Sequence, residues 1–289
     1  AVGSGALGAN TTATNNTAVG YTAGAVNTTG SITAVGYGAL RANTTGASNT
    51  AVGLVALGDN TTGAQNTAVG EYSQFATTTG TDNTSIGYRS LDANTTGTNN
   101  VAMGSGAMGA NTTGGNSTAV GSSALLSATD GGSNSAFGQG ALQSTTTGNL
   151  NTGLGLQALY SNTTGANNTA VGHVALYANT GSENTAMGVS AGQAVTTGTQ
   201  NTLLGRSAGF SGTNNLTTGS NNILIGYNSA ATSASVSNEF THGNSSITSN
   251  RFWGDMKMGG SSAGTSGQVL TSAGAGASPT WAAASSGAL

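Results

Sequence analysis

The acids, histidines and cysteines able to carry acid–base or metal chemistry are few in this chain, and the acids share no position of the repeat. The acids are Asp59, Glu71, Asp82, Asp92, Asp130, Glu183, Glu239 and Asp255. Glycoside cleavage needs a matched acid and base across one bond, and no two of these acids recur at a common spacing. The two histidines, His173 and His242, lie too far apart in sequence to read as a ligand pair. Zero cysteines remove thiolate ligands, thiol nucleophiles and disulfides. A calcium-binding roll repeats Gly-Gly-x-Gly-x-Asp, and no such array occurs. Stretches such as Gly104-Ser105-Gly106 lack the Lys and the strand-to-helix context of a phosphate loop. Triplets such as Asn43-Thr44-Thr45 match the N-glycosylation sequon, but they recur as part of a turn and read as its by-product. No catalytic residue, metal site or cofactor is expected, and the chain reads as a non-enzyme.

What remains is contact chemistry. Tyr21, Tyr37, Glu71, Tyr88, His173, Arg206 and Tyr227 each follow the glycine of a recurring Ala-Val-Gly-like motif. Arg41, Phe75, Asp92, Tyr160, Tyr177 and Phe210 stand five residues after it. Variation inside a strict repeat implies exposed corners. The plain reading is a solvated corner, and the sharper one is contact with a host-surface glycan or protein through the tyrosines. A second cluster, Arg251, Phe252, Trp253, Asp255 and Lys257, concentrates charge and aromatics. It reads as a plug closing an oligomer below the repeats, or as a receptor contact through Arg251 and Trp253. His242 is expected to be structural.

The elements that must position these residues follow from the repeat, which is read before anything else. The motif glycine falls at Gly3, Gly20, Gly36, Gly53, Gly70, Gly87, Gly104, Gly121, Gly138, Gly155, Gly172, Gly188, Gly205 and Gly226. Ten of the thirteen intervals are 17 residues, two are 16 and one is 21. The unit is too short for a helical hairpin repeat, which needs about 34 residues. It holds two short apolar runs, Thr-Ala-Val and Ala-Leu, each bounded by Gly or by Asn-Thr-Thr-Gly, which is turn chemistry. The prediction is an all-β parallel solenoid of ~17-residue coils with two short strands each. The long interval places its extra residues around Ser211 to Leu216, as a surface loop.

Composition agrees. Only 4% of residues are charged, against roughly 25% in ordinary soluble domains. Disorder usually brings high charge and proline, and here Pro279 is the only proline. The net charge of −3 has no basic patch for nucleic acid. No apolar run approaches the ~20 residues of a membrane-spanning helix, so neither nucleic acid nor membrane insertion is expected. The chain opens inside a repeat, at Ala1-Val2-Gly3, which reads as a fragment or a processed product. Three regions are expected: repeats over 1–230, a stalk or transition segment over 231–260, and a Gly/Ser/Ala-rich end over 261–289.

Individual positions form ladders. The residue before the motif glycine is apolar in every copy, from Val2 to Ile225, and the residue three after it is Ala or Ser in every copy, from Ala6 to Ser229. Asn16, Asn49, Asn66, Asn83, Asn100, Asn134, Asn151, Asn168, Asn184, Asn201 and Asn222 form a column whose side chains can hydrogen-bond up and down the stack. Strand side chains alternate, so Ala18 and Val19 are expected on opposite faces, as are Ala39 and Leu40. The Ala face fills the roll, and a Val/Leu stripe is left outside. Parallel sheets apolar on both faces are normally covered on both, which predicts a parallel homo-oligomer about the stack axis.

The Asn-Thr-Ala-Val-Gly…Ala-Leu…Asn-Thr-Thr-Gly pattern resembles the β-roll repeats of trimeric autotransporter adhesin heads of the YadA type. It is more similar still to bacteriophage tail-fibre repeats. The resemblance covers about residues 1–230. It implies a left-handed roll, a homotrimer and a structural or attachment role. Ser237-Asn238-Glu239-Phe240-Thr241-His242-Gly243-Asn244-Ser245-Ser246-Ile247-Thr248 looks like the stalk before an intramolecular chaperone in phage tail spikes and fibres. Gly264-Thr265-Ser266-Gly267-Gln268-Val269-Leu270-Thr271-Ser272, followed by Ser278-Pro279-Thr280-Trp281, looks like a segment frequent in phage tail fibres. The leading expectation is therefore a virion tail-fibre segment. The second is a bacterial trimeric surface adhesin or extracellular filament. The third is an ice-binding solenoid, which would need an exposed flat Thr array.

Overall fold

The computed structural model describes residues 1–212, 214–249, 268–271 and 280–283. The chain divides into two units, 1–244 and 245–289. The first is the expected solenoid. Fourteen strands, from β1 (Thr17–Val19) and β2 (Ile32–Val35) to β13 (Ile223–Ile225) and β14 (Phe240–His242), stack in sequence order into one sheet, each parallel to the next. The described residues form no helix. A parallel sheet usually needs long crossovers; here each crossover is the rest of one coil. The second unit contributes a hairpin, β15 (Gln268–Thr271) with β16 (Thr280–Ala283), paired antiparallel. The plug expected around Arg251 and Trp253 lies outside the described residues.

Register follows the repeat. Thr50 pairs with Thr67, Ala51 with Ala68 and Val52 with Val69. Strand alternation also holds. Ala51 is buried, while Thr50 and Val52 lie on the outer face. The sheet reaches one strand beyond the expected limit of the repeats, because β14 pairs with β13.

The second apolar run differs from the expectation. Ala39 and Leu40 are both fully buried, as are Ala56 and Leu57. Alternation fails there because the backbone is not extended. The leucines at this position are left-handed, with φ of 51° at Leu40 and 49° at Leu57. The segment is a chain of overlapping turns: Ala56 N–H donates to Gly53 O, Gly58 N–H to Val55 O and Asn60 N–H to Leu57 O. The intervening amides reach to neighbouring coils, Val55 to Tyr37 O and Leu57 to Ser73 O. A left-handed residue costs roughly 1–2 kcal/mol, whereas burying a leucine returns about 1.5–3 kcal/mol, so burial wins. Each coil thus carries one strand, and the outer stripe consists of the residues before the motif glycine, without the leucines of the Ala-Leu run.

Two glycine columns are obligatory because coils approach closely. At Gly121 (φ +135°) an added Cβ would lie 2.5 Å from Gly138 O. At Gly80, in the Asn-Thr-Thr-Gly turn, it would lie 2.6 Å from Gly97 O. Between these turns run two buried asparagine ladders. The expected column is present: Asn66 N–H donates to Asn49 Oδ1 at 3.0 Å, and Asn49 Nδ2 donates to Gly63 O at 2.7 Å. The asparagine of Asn-Thr-Thr-Gly forms a second. Asn60 Nδ2 donates to Asn43 Oδ1 at 2.7 Å and to Gly63 O at 3.0 Å. In the long coil Leu216 is buried at this asparagine position, so the surface loop expected to include it ends before it.

The interior is thin and balances volume between coils. Where glycine replaces the buried leucine, at Gly192, the space is taken by Leu203, which stands where other strands have alanine. At Gly24 the Ile32 side chain does the same. The apolar core forms two blocks, one from Ala18 to Ala68 and one from Leu91 to Ala231. Between them Ser73, Gln74, Ser85 and Ser90 are buried. Gln74 Nε2 donates to Ser85 Oγ and to Thr67 O, each at 2.9 Å. The Ser73 hydroxyl bonds Ser85 Oγ, and it lies 3.1 Å from Ser90 Oγ.

Candidate interaction surface

The surface is built from columns, because each coil places its residues above those of the last. The outer strand face carries a Thr column and, two residues on, the apolar column. Val19, Ile86, Met103, Phe137, Leu154, Met187, Leu204 and Ile225 are all exposed, up to 48% at Leu154. One residue after the motif glycine the chain turns a corner, and there Tyr21, Tyr37, Tyr88 and Tyr227 are each half or more exposed, as expected. Tyr160 and Tyr177, four residues further on, are only half-buried. His173 is exposed at the same corner as the four tyrosines.

Stacking distance follows coil spacing. Coils sit ~4.8 Å apart, close to the offset-stacking distance of aromatic rings. Tyr21 and Tyr37 stack at 5.2 Å, and Tyr160 and Tyr177 at 5.1 Å. Arginines use the same geometry: Arg206 lies 5.6 Å over the Tyr227 ring, and Arg89 sits 5.6 Å from the Tyr72 ring and 5.8 Å from the Tyr88 ring. Arg41 lies over Phe75 and bonds Asp59 at 3.0 Å. Four of the tyrosines therefore stand in two separate pairs along the stack, while Tyr88 and Tyr227 each carry an arginine.

A concavity opens among these corner residues. It has a volume of about 340 Å³ and is lined by Tyr88, Arg89 and Asp92 from one coil, Gly106 and Gly109 from the next, and Leu126 from the one after. Arg89 Nε lies 3.7 Å from Asp92 Oδ2. Burial pushes the Asp92 carboxyl up, against the opposing pull of the Arg89 guanidinium. The notch was not visible in any one motif. Its signal is the coincidence of glycines two and five residues after Gly104, where neighbouring coils carry Arg89 with Asp92 and Ser123 with Leu126.

The sequon asparagine is not a surface feature. Asn43 is fully buried, and its Nδ2 donates to Asn27 Oδ1 at 2.8 Å and to Gly46 O at 3.0 Å. The nitrogen that a glycan would occupy is spent inside the folded coil. No group of three or more His, Cys, Asp or Glu able to hold a metal occurs among the described residues. No helix of the described residues is long and apolar enough to cross a membrane. In comparison with known proteins, the chain matches no family model, no curated protein and no solved structure.

Proposed function

We infer that the chain is a structural fibre segment, the shaft of a bacteriophage tail fibre, assembling as a parallel homotrimer and contributing to host-surface attachment through its corners. The observation that carries this reading is the outer apolar column. It runs in register along the sheet, with Val19, Phe137, Leu154, Met187 and Leu204 all open to solvent. A contiguous apolar stripe of that length exceeds the few hundred Å² that a monomer normally exposes. The same apolar column on three parallel copies would meet about one axis, as closed cyclic symmetry requires. The low charge, the buried hydrogen-bond ladders and the one-dimensional stacking suit a stiff spacer, roughly 60 Å long at ~4.8 Å per coil.

Two measurements test it. Sedimentation equilibrium should give three times the chain mass, and a stable monomer would sink the trimer and the shaft together. The chain has no native cysteine, so Val19→Cys, in the first strand of the stack, offers a clean probe. In a parallel trimer Val19 lies opposite its own copies, and oxidation should link chains into dimers. An antiparallel arrangement would place the thiols at opposite ends of the stack. A bacterial surface adhesin is the alternative owner of the same architecture, and the neighbouring genes distinguish the two.

A further inference from the structure

We propose that the notch between Tyr88 and Leu126 is a binding site for a single neutral sugar ring, a pyranose presented at the end or edge of a glycan. The proposal deepens the attachment role within the fibre reading, and its test separates the two.

The notch is made by omission. Gly106 and Gly109 take the two positions that carry Arg89 and Asp92 in the coil before and Ser123 and Leu126 in the coil after. At Gly106 an added Cβ would be 3.6 Å from Leu126 Cδ1, and at Gly109 3.3 Å from the same atom. Two side chains are missing, and the coils on both sides keep theirs. The volume of about 340 Å³ lies at the small end of small-ligand sites, so one ring fits better than an extended chain.

The lining selects chemistry. Arg89 and Asp92 supply one positive and one negative charge in the same wall, so the site favours neither anion nor cation. Together they offer a donor fork beside a two-oxygen acceptor, the pattern that a vicinal diol satisfies in both directions. Ser105 and Ser127 add hydroxyls at the rim. Leu126 and Tyr88 supply apolar surface for the C–H face of a ring. Arg89 is held between the Tyr72 and Tyr88 rings at 5.6 and 5.8 Å, so part of its ordering cost is met before a ligand arrives. The raised pKa of Asp92 reports a partly dehydrated carboxylate, which gains by accepting hydroxyl hydrogen bonds.

Saturation-transfer NMR on the full chain with the methyl pyranosides of glucose, galactose and mannose tests this. At least one sugar should give transfer at millimolar concentration. Gly109→Leu refills the notch with the residue that the next coil carries there, and Asp92→Asn removes the acceptor charge at constant shape. Each should raise Kd at least tenfold, whereas Asp130→Asn, the same change at an exposed carboxylate outside the notch, should leave it unchanged. Absence of transfer from all three sugars overturns the proposal. So does transfer indifferent to both variants, or a preference for glucuronate or glucosamine over the neutral sugars. Should Gly109→Leu fold poorly, the isosteric Asp92→Asn still decides. A chain that sediments as a monomer yet binds sugar at the notch would sink the fibre reading alone. A trimer without sugar binding would sink the notch alone.

Discussion

Asn111 Oδ1 is buried without a hydrogen-bond partner, and in the ladder of the Asn-Thr-Thr-Gly turns the residue that follows it is Ala128, which has no amide to offer. Elsewhere in that ladder the following amide donates to the preceding Asn, as Asn60 does to Asn43 at 2.7 Å and Asn111 to Asn94 at 3.0 Å. Ala128→Asn should therefore satisfy Asn111 Oδ1 and raise stability by about 1 kcal/mol, and a lowered melting temperature would refute it. The glycine columns give a contrasting pair. Gly121→Ala drives a Cβ to 2.5 Å from the Gly138 carbonyl oxygen and should cost on the order of 3 kcal/mol or more by combining clash with strain. Gly106→Ala keeps a positive φ but meets only a leucine methyl at 3.6 Å. That change should cost about 1 kcal/mol. Equal losses in a denaturant titration would mean that φ alone, and not coil approach, makes Gly121 obligatory.

At the scale of the coil, volume is shared between its walls. An added Cβ at Gly192 would lie 2.5 Å from Leu203 Cδ1 and 2.9 Å from Leu176 Cδ2. Leu203→Ala alone should lose roughly 2–5 kcal/mol through the cavity it leaves, and Gly192→Leu alone should overpack. The double variant should recover most of both losses, because it recreates the arrangement of Leu176 beneath a strand alanine. Additive losses in that cycle would deny the coupling. The last coil depends on a carboxylate. Burial raises the Glu239 pKa, but hydrogen bonds from the Thr232 and Thr241 hydroxyls and the Thr232 amide outweigh it, and the net shift is downward. A depressed carboxylate pKa contributes stability that is present above the unfolded value and lost as pH falls through the folded one. Amide exchange in β14 should therefore accelerate below the ordinary carboxylate range before the central coils respond, and Glu239→Gln should flatten that dependence.

The whole stack inherits its cooperativity from nearest neighbours, so a change in the core is felt along its length. Ser73, Gln74, Ser85 and Ser90 separate two apolar blocks. Gln74 Oε1 remains unpartnered there. Removing one member strips its partners: Ser85→Ala should cost about 1–2 kcal/mol, whereas replacing all four with the Ala, Leu, Ala and Ala of ordinary coils should be stabilising, since matched apolar replacement leaves no orphan. Calorimetry would read this as a lower melting temperature for the single variant and a higher one for the quadruple. A destabilised quadruple variant would mean that the polar layer is a net contributor to the stack.

Much of this architecture was legible in the repeat itself. A fixed period places each residue over its own copy, so the in-register sheet, the inward alanine of Thr-Ala-Val and the first asparagine ladder follow from spacing and from the period of two in extended chain. Leu40 and Leu57 escaped the same reasoning because alternation belongs to extended backbone, and a leucine held at φ near 50° turns inward beside its alanine neighbour. The burial of the Asn-Thr-Thr-Gly asparagine, the exchange between Gly192 and Leu203 and the notch at Gly106 and Gly109 depend on which side chains meet across coils. Those contacts are set by left-handed turns and by the close approach of neighbouring backbones, and only the three-dimensional stack decides them.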